Sequence, residues 1–300
     1  MKIEMILGLV LSAAAVMGCG TGKQVQGNAS SESDGIFAVK LGRDAQAFEV
    51  FMLVESQREG NAGILVGADE AVLQQYIPES GFMHTANAFL IKAPGNNILV
   101  DTGTGAGGII IEKIKKLGVE PEQVGAVLIT HLHGDHFGSL QQDGNAVFAN
   151  AEVYVSAREL DYFTNTNVNQ GAVAALAPYG DRVTAFEPGG LDAPSAELLP
   201  GITAIANYGH TPGHTVFLVE NGGEKLIIAG DFLHIALVQF PRPDISASYD
   251  VDKAEAAISR WQIIDYAARN NIPIGGMHIV YPGIGTAEAS GNGFSFTPLR

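Results

Sequence analysis

Residues 125–136 read GAVLITHLHGDH, an apolar run that leads directly into three histidines and an aspartate. The apolar run predicts a buried strand with a loop at its end. Histidine is scarce in the chain as a whole, with 8 in 300 residues. Imidazole nitrogens and carboxylate oxygens are donors that zinc and similar divalent metals prefer. We therefore expect His131, His133, Asp135 and His136 to converge on a metal, the alternative being a solvated histidine-rich loop.

Three segments further along the chain carry the same residue types. YGHTPGHTVF contains His210 and His214, KLIIAGDFLH places Asp231 after an apolar strand, and GGMHIVYPGIG contains His278. Strand ends that carry such residues can meet at one edge of a sheet sandwich. With one histidine from the first segment, the donors are enough for two metal ions that share one carboxylate.

The composition predicts a folded protein. Hydrophobic residues make up 46% and charged residues 16% of the chain, which is long enough for one large or two small domains. The formal net charge of −15 repels phosphate backbones, so we expect no nucleic-acid partner. We expect a small-molecule substrate as the partner. The sequence does not decide whether the protein forms a homo-oligomer.

The first nineteen residues, MKIEMILGLVLSAAAVMGC, resemble a bacterial lipoprotein signal. The apolar run from Met5 to Gly18 is short for a bilayer span and fits a signal-peptide core. We expect a lipoprotein-type signal peptide over 1–18, a flexible tether over 19–35 and a folded domain over 36–300. The protein would then be exported and lipid-anchored at Cys19, in the periplasm or outer membrane. An ordinary cleaved signal peptide and a buried N-terminal helix are the alternatives.

Hydrophobic patterning predicts strands and helices in both halves of the domain. The strands are expected near 37–41, 47–54, 87–92, 97–101, 125–130, 203–208, 215–220 and 225–230. Helices are expected over 108–118, over most of 156–178, and after Asp252. In the last helix the apolar face is predicted to comprise Ala254, Ile258, Trp261, Ile264 and Ala268. This pattern favours an α/β sandwich with helices outside.

HLHGDH, GHTPGH, Asp231 after its apolar strand and the late His278 together resemble the metallo-β-lactamase superfamily, as does LVDTG at 99–103. The resemblance covers nearly all of 37–300 and implies a four-layer αβ/βα sandwich. Residues 197–220, 230–240 and 278–285 are most similar to the methyl parathion hydrolase-like branch.

The resemblance also implies a ligand assignment. His131, His133 and His210 would hold one metal ion, Asp135, His136 and His278 the second, and Asp231 would bridge them. His210 is preferred over His214 because the family ligand is the first histidine of its segment. Asp101 of LVDTG either orients a ligand histidine or is only a turn residue.

A dinuclear hydrolase is the activity that this assignment implies. A bridging hydroxide would attack a small ester, lactone or phosphotriester, and Asp135 would also accept a proton. Zinc is the default metal, with Mn²⁺, Co²⁺ or Fe²⁺ possible. The absence of a cysteine at Asp231 argues against a true β-lactamase. A non-haem iron oxygenase of the persulfide dioxygenase type and a non-catalytic ligand-binding lipoprotein are the alternatives, and the complete ligand set disfavours both.

Two further histidines have open roles. His234 follows Asp231 by three positions, where homoserine lactone lactonases of this fold commonly carry a tyrosine that binds the substrate. This difference puts a homoserine lactone substrate in doubt. His234 is either a proton donor to the substrate or a wall of the pocket, and His84 is either at the pocket rim or on a surface loop.

Overall fold

The computed structural model describes residues 27–300, and the predicted signal peptide and Cys19 lie outside this range. In chain order, the strands within this range are β1 (Gly27–Ser31), β2 (Ile36–Leu41), β3 (Phe48–Glu59), β4 (Leu65–Val66), β5 (Met83–Ala93), β6 (Asn96–Val100), β7 (Val124–Leu128), β8 (Gln141–Gln142), β9 (Asn145–Ala146), β10 (Glu152–Ser156), β11 (Val183–Phe186), β12 (Ile202–Ala206), β13 (Thr215–Asn221), β14 (Glu224–Ile228), β15 (Ser246–Ala247), β16 (Ile274–Gly275), β17 (Ile284–Ser290) and β18 (Gly293–Pro298). The α-helices are α1 (Glu70–Tyr76), α2 (Ile109–Lys116), α3 (Gly134–Phe137), α4 (Ala157–Asp161), α5 (Gln170–Leu176), α6 (Ala236–Gln239) and α7 (Lys253–Asn270).

Two large sheets form the centre of the domain. The first has the strand order β1-β2-β3-β5-β6-β7-β10-β11, and the second has the order β12-β13-β14-β16-β17-β18. Strands β6, β7, β10 and β11 run parallel, whereas the other pairs in the first sheet are antiparallel. The second sheet is antiparallel except for the pair β14 and β16.

Apolar side chains on both faces of each sheet create the predicted four layers. In β3, Val50 and Met52 face the second sheet, whereas Phe51 and Leu53 pack toward α2 and α5. This alternation follows from the two-residue period of a strand. The second sheet also buries both of its faces. Its outward side chains form a third apolar cluster with α7. The sequence expectation of an αβ/βα sandwich is confirmed.

Residues 27–35 were predicted to belong to a flexible tether, but they include a strand and a turn in the structure. Here β1 pairs antiparallel with β2, and a short 3₁₀ turn follows it. The ammonium group of Lys113 on α2 donates to the carbonyl oxygens of Asp34 and Gly35. Main-chain pairing to a sheet edge needs no apolar side chains, so the polar composition of this segment concealed the strand.

Helix α7 begins where predicted but buries a different face. The side chain of Asp252 caps it by accepting from the backbone N–H groups of Ala254 and Glu255. Ile258 and Trp261, predicted to be buried, are 59% and 45% exposed. The buried residues are Ala256, Arg260, Ile263, Ile264 and Ala267. Ile264 is therefore buried as predicted, whereas Ile258 and Trp261 are not. Arg260 is buried instead, with hydrogen bonds that hydropathy does not reveal.

The segment 156–178 is helical as expected, although it is divided. A π-helical turn over Tyr162–Thr166 and a short break separate α4 from α5. None of the helices in residues 27–300 has the length and apolarity that crossing a bilayer requires.

Candidate metal centre

The predicted donors lie at one edge of the sandwich. HLHGDH follows β7, Asp231 follows β14, and His278 follows β16. His210 lies in the connection between β12 and β13. Strands β14 and β16 run parallel with Ile228 opposite Gly275, so the two loops that follow them emerge side by side. The fold therefore brings together donors that are far apart in sequence.

A cluster of three imidazoles forms the first donor group. Nε2 of His210 lies 3.2 Å from Nε2 of His131 and 3.0 Å from Nδ1 of His133. Nε2 of His131 lies 3.1 Å from Nδ1 of His133. Donor atoms around a tetrahedral zinc ion are about 3.4 Å apart, so the spacing is close to that of ligands on a shared cation.

The ring nitrogens of His131 and His210 that face away from the cluster also indicate a shared cation. Nδ1 of His210 lies 2.8 Å from a carboxylate oxygen of Asp250, so it carries the proton. The Thr130 hydroxyl donates to Asp101 and therefore accepts from Nδ1 of His131, at 3.1 Å. The two Nε2 atoms are then unprotonated and face each other with lone pairs, an arrangement that a cation stabilises.

The second donor group contains Asp135, His136, Asp231 and His278. Nε2 of His136 lies 3.5 Å from Asp135 and 3.3 Å from Oδ1 of Asp231. Nε2 of His278 lies 3.0 Å from Oδ2 of Asp231. Nε2 of His136 and Oδ1 of Asp231 are buried without a hydrogen-bond partner in the described chain. Buried polar atoms are rarely left unpaired, so both atoms fit metal ligands.

Asp231 connects the two groups. Its Oδ2 lies 3.5 Å from Nε2 of His210 and 3.7 Å from Nε2 of His131, in addition to its contact with His278. Its Oδ1 faces His136. The position of this carboxylate between the groups is the one expected of a bridging ligand, and the whole set fits two divalent ions.

The local electrostatics favour cation binding. Burial lowers the pKa of the His210 imidazole to about 3, which keeps it neutral and able to donate a lone pair. Burial raises the pKa of Asp231, but the imidazoles of His136 and His278 outweigh this effect and hold the pKa well below its ordinary value. Burial lowers the pKa of His136, yet the surrounding carboxylates raise it well above its usual range. The site therefore places ionised carboxylates among imidazoles, and their negative charge favours a bound cation.

Asp101 orients His136. One of its carboxylate oxygens lies 2.7 Å from Nδ1 of His136, and the other accepts from the backbone N–H of Thr130 at 2.8 Å. The residue has a φ of 56°, a strained conformation for a residue with a side chain. Of the two roles that the sequence left open, the structure supports the orienting one.

His214 lies behind the donors rather than among them. Its Nδ1 donates to the carbonyl oxygen of Asn207 at 2.9 Å, and its Nε2 accepts from the backbone N–H of Asp231 at 3.0 Å. Both ring nitrogens are thus occupied by protein groups. This placement agrees with the preference for His210 as the ligand.

Gly230 allows the close approach between His214 and Asp231. It has a φ of 54°, and an added Cβ would lie 2.6 Å from Nε2 of His214 and 2.9 Å from Cβ of Thr130. A larger residue would displace either the histidine or the strand end that presents Asp231.

Sequence analysis missed two buried acidic residues. Asp250 orients His210 and also binds the guanidinium of Arg260 at 3.2 Å. Glu159 accepts from the backbone N–H groups of Leu132 and Gly213, each at 2.8 Å. Burial raises the pKa of Glu159 to about 7, although these donors act in the opposite direction.

Glu159 also accepts from the Thr211 hydroxyl at 2.7 Å, so one carboxylate joins the HLHGDH loop to the GHTPGH loop. Neither acid has a sequence signal, since Asp250 precedes a helix and Glu159 lies within one, where acidic residues are common.

The partner of Nδ1 of His278 is the carbonyl oxygen of Thr85, at 2.7 Å, and a backbone atom cannot be recognised from sequence.

The remaining histidines lie beside the donor groups. His234 is buried, and its Nε2 is 3.5 Å from Oδ2 of Asp231. Its ring centroid is 5.0 Å from that of His278, and its Nδ1 has no hydrogen-bond partner among the described residues. His84 lies within β5, with its ring centroid 4.7 Å from that of His278, so it belongs to the pocket rim.

Two cavities open from this edge. A cavity of about 390 Å³ lies over the donors and is lined by Asp135, Asp231, His133 and Arg58, among others. A larger cavity of about 1010 Å³ has a mainly apolar wall that includes Phe82, Ile279 and Phe294. Both cavities share His234 and His278, so a molecule bound over the donors can extend into the apolar space.

Comparison with known proteins places the chain in a family. Residues 83–283 match the model of the metallo-beta-lactamase superfamily. A probable metallo-hydrolase, YflN of Bacillus subtilis strain 168, is 29% identical over 166 residues, which cover 49% of this chain and 60% of that protein. An N-acyl homoserine lactonase from a Bacillus species is 27% identical over 121 residues, 37% of this chain and 39% of that protein. The matches thus span less than two thirds of both relatives.

Solved structures are similar over most of the chain. The hydrolase AbOPH of the beta-lactamase superfamily has a TM-score of 0.76 and 26% identity, and the match covers 93% of this chain and 99% of that one. AidC, a dizinc quorum-quenching lactonase, has a TM-score of 0.77 and 23% identity over 88% of this chain and 97% of that one, a likeness of fold. The chain therefore belongs to the metallo-beta-lactamase superfamily, and its His/Asp clusters are able to hold divalent metal ions.

Proposed function

We propose that this protein is a dinuclear hydrolase of a small ester, lactone or phosphotriester, in the methyl parathion hydrolase-like branch of the superfamily. The observation that carries the proposal is the position of Asp231, whose two oxygens face separate donor groups beneath a cavity. The similarity to hydrolase and lactonase structures supports the same reaction class.

The donors divide between two ions in the proposal. His131, His133 and His210 would hold the first ion, and Asp135, His136 and His278 the second, with Asp231 shared. Two such ions, when bound, would supply a nucleophilic water near neutral pH and polarise the attacked oxygen. Zinc is the default, and Mn²⁺, Co²⁺ or Fe²⁺ suit the same donors.

Asp135 is suited to accept a proton. Its carboxylate is half-buried and lines the cavity, so it is accessible to a bound substrate. Burial raises its pKa, but His136 outweighs that effect and keeps the pKa below the ordinary range. The ionised oxygens of Asp135 are therefore available as the scissile bond breaks.

His234 is suited to bind a substrate oxygen. Its ring lies between the two cavities, and Nδ1 is buried without a partner in the described chain. By contrast, Nδ1 of His136 and Nδ1 of His278 are each held by a protein oxygen. A nitrogen without such a partner can donate to the attacked or leaving oxygen of a substrate.

The larger cavity supports an apolar acyl or aryl group on the substrate. Its wall is formed mostly by aromatic and aliphatic side chains, and it begins at His234 and His278. Burying such a group contributes about 25 cal/mol per Å² of apolar surface. This contribution would position the scissile bond over the donors.

The proposal is tested by metal analysis and a substrate panel. The purified protein should contain two divalent ions per chain, and a chelator should abolish its hydrolysis of esters, lactones or phosphotriesters. Re-addition of Zn²⁺, Mn²⁺ or Co²⁺ should restore it. A content near one iron per chain, together with oxygen consumption, would contradict the proposal.

His234→Phe tests the role of the imidazole separately. It should lower kcat/KM by roughly 100-fold while the metal content stays at two, because a donated proton typically contributes 10²–10⁴-fold. The loss should grow as the leaving group becomes poorer. Full activity of the variant across the panel would show that His234 only lines the pocket.

We also propose export and lipid anchoring at Cys19. The support is the apolar run before VMGC in the sequence, which precedes the described residues.

A further inference from the structure

We propose that Arg58 forms an anion-binding subsite at the mouth of the metal cavity, so that the natural substrate carries a carboxylate in addition to its apolar group. The inference rests on the proposed hydrolase function and adds the charge of the substrate. It assigns a specificity role to a side chain outside the donor groups.

The pairing of β3 with β5 places Arg58 at the site. Arg58 lies directly opposite His84, and directly opposed residues on antiparallel strands share one face of the sheet. The ring of His84 is 4.7 Å from that of His278, so this face points toward the donors. Arg58 accordingly lines the cavity of about 390 Å³ that also contains Asp135.

Arg58 also reaches a second, outer cavity. This cavity has a volume of about 300 Å³ and is lined by Arg58, His84, Tyr249, Glu59 and Asn61, among others. The first three of these residues also line the metal cavity, and they join the two spaces. A group that extends from the donors toward solvent would therefore pass the guanidinium.

No carboxylate of the described residues forms an ion pair with the guanidinium of Arg58. Arg58 is exposed, and within residues 27–300 it makes no ion pair, not even with the neighbouring Glu59. Arg260 provides a contrast, because Asp250 and three carbonyl oxygens hold it in place. The five donors of Arg58 are thus available to a ligand.

The charge distribution points to an anionic ligand. The chain has a formal net charge of −15, which repels anions over most of its surface. Among the described residues that line the metal cavity, Arg58 is the only arginine or lysine. A guanidinium binds a carboxylate through two parallel hydrogen bonds, a geometry that a lysine does not offer.

The two sides of the site then select two parts of one substrate. The apolar cavity begins at His234 and His278, whereas Arg58 lies on the side of His84 and Tyr249. A substrate with its scissile group over the donors would place its apolar group in the larger cavity and its carboxylate beside Arg58.

A matched pair of esters tests the proposal. Mono-p-nitrophenyl glutarate carries a carboxylate where p-nitrophenyl 5-methylhexanoate carries a neutral group of similar shape. After subtraction of the uncatalysed rate, the wild-type enzyme should favour the glutarate ester in kcat/KM by roughly 10-fold or more, as expected for a hydrogen bond between charged groups. Arg58→Met should remove this preference mainly through KM and leave the neutral ester within about twofold.

Two further variants sharpen the result. Arg58→Lys should recover only part of the preference, because it keeps the charge and loses the paired geometry. Arg43→Met makes the same charge change at an exposed arginine outside both cavities and should leave the preference intact. Equal kcat/KM for the two esters in the wild type, or equal losses for both in Arg58→Met, would overturn the proposal.

A binding measurement separates this proposal from the hydrolase proposal. If neither ester is hydrolysed, the hydrolase proposal is the one that fails on these substrates. Calorimetric titration of the full chain with glutarate then decides the role of Arg58. Binding at least tenfold weaker in Arg58→Met supports it, whereas equal affinity, or no wild-type binding, overturns it.

Discussion

The backbone N–H of Asp231 donates a hydrogen bond of 3.0 Å to Nε2 of His214. Nδ1 of His214 is committed to the carbonyl oxygen of Asn207, so this tautomer presents a lone pair to Asp231. Of the two histidines of GHTPGH, His214 therefore contacts the backbone of Asp231 and His210 contacts its carboxylate. The segment supports Asp231 in two different ways.

This difference predicts unequal effects of substitution. Asp231→Ala should remove both ions and reduce hydrolysis to background, because its carboxylate faces both donor groups. His214→Ala should lower metal affinity about 10- to 100-fold, the usual cost of losing a partner behind a ligand. Metal content after dialysis, together with activity, measures both effects. Equal losses in the two variants would show that the ligands are misassigned.

Asp250→Asn should weaken the first ion selectively. The carboxylate holds Nδ1 of His210 at 2.8 Å, and the amide cannot strengthen the imidazole in the same way. We expect the affinity of one ion to fall about 10- to 100-fold while the second ion is retained. Competition with a chromophoric chelator measures the two affinities.

Asp265→Asn is the matched control for this substitution. Asp265 pairs with Arg269 on the surface of α7, away from the donor groups. Its variant should keep both affinities at the wild-type level. Loss of both ions in Asp250→Asn would instead indicate a general collapse of the site.

Glu159→Ala should destabilise the fold. It leaves the donors of Leu132, Thr211 and Gly213 buried without an acceptor. Each unsatisfied group costs about 1–3 kcal/mol, so we expect a loss of about 3 kcal/mol or more in the free energy of unfolding. Thermal unfolding of the metal-free protein, compared with the exposed-site variant Glu112→Ala, measures this loss. Identical melting temperatures for the two variants would refute the role of Glu159.

Cys19→Ala tests the proposed lipid anchor. If VMGC is a processing site, the variant should leave the membrane fraction or remain unprocessed. Fractionation of cells and the mass of the N-terminal peptide provide the measurement. Unchanged membrane attachment of the variant would refute the lipid anchor.

Several features of this protein were predictable from the sequence. The donor residues are histidines and aspartates, which suit metals, and they follow apolar runs. They lie in HLHGDH and GHTPGH and at Asp231 and His278. The apolar runs of β3 and β13 likewise predicted strands, and the structure buries both faces of each. These properties are local, because residue type and period depend only on the neighbouring positions.

The predicted face of α7 was wrong at Ile258 and Trp261 for a physical reason. A helical period shows which residues share a face, but the neighbouring sheet decides which face is covered. Arg260 is buried because Asp250 and the carbonyl oxygens of Phe232, Pro243 and Ile245 accept its hydrogen bonds. Ile258 and Trp261 consequently remain on the exposed side.

The sequence by itself determined the family, the layered fold and the types of donor. Only the tertiary structure decided that Asp231 lies between two donor groups, that Asp250 and Glu159 support them, and that Arg58 reaches their cavity. The reason is that these contacts join positions far apart in the chain, such as His131 and His210. Their geometry depends on strand order and register, which bring loops together without leaving a local pattern in the sequence.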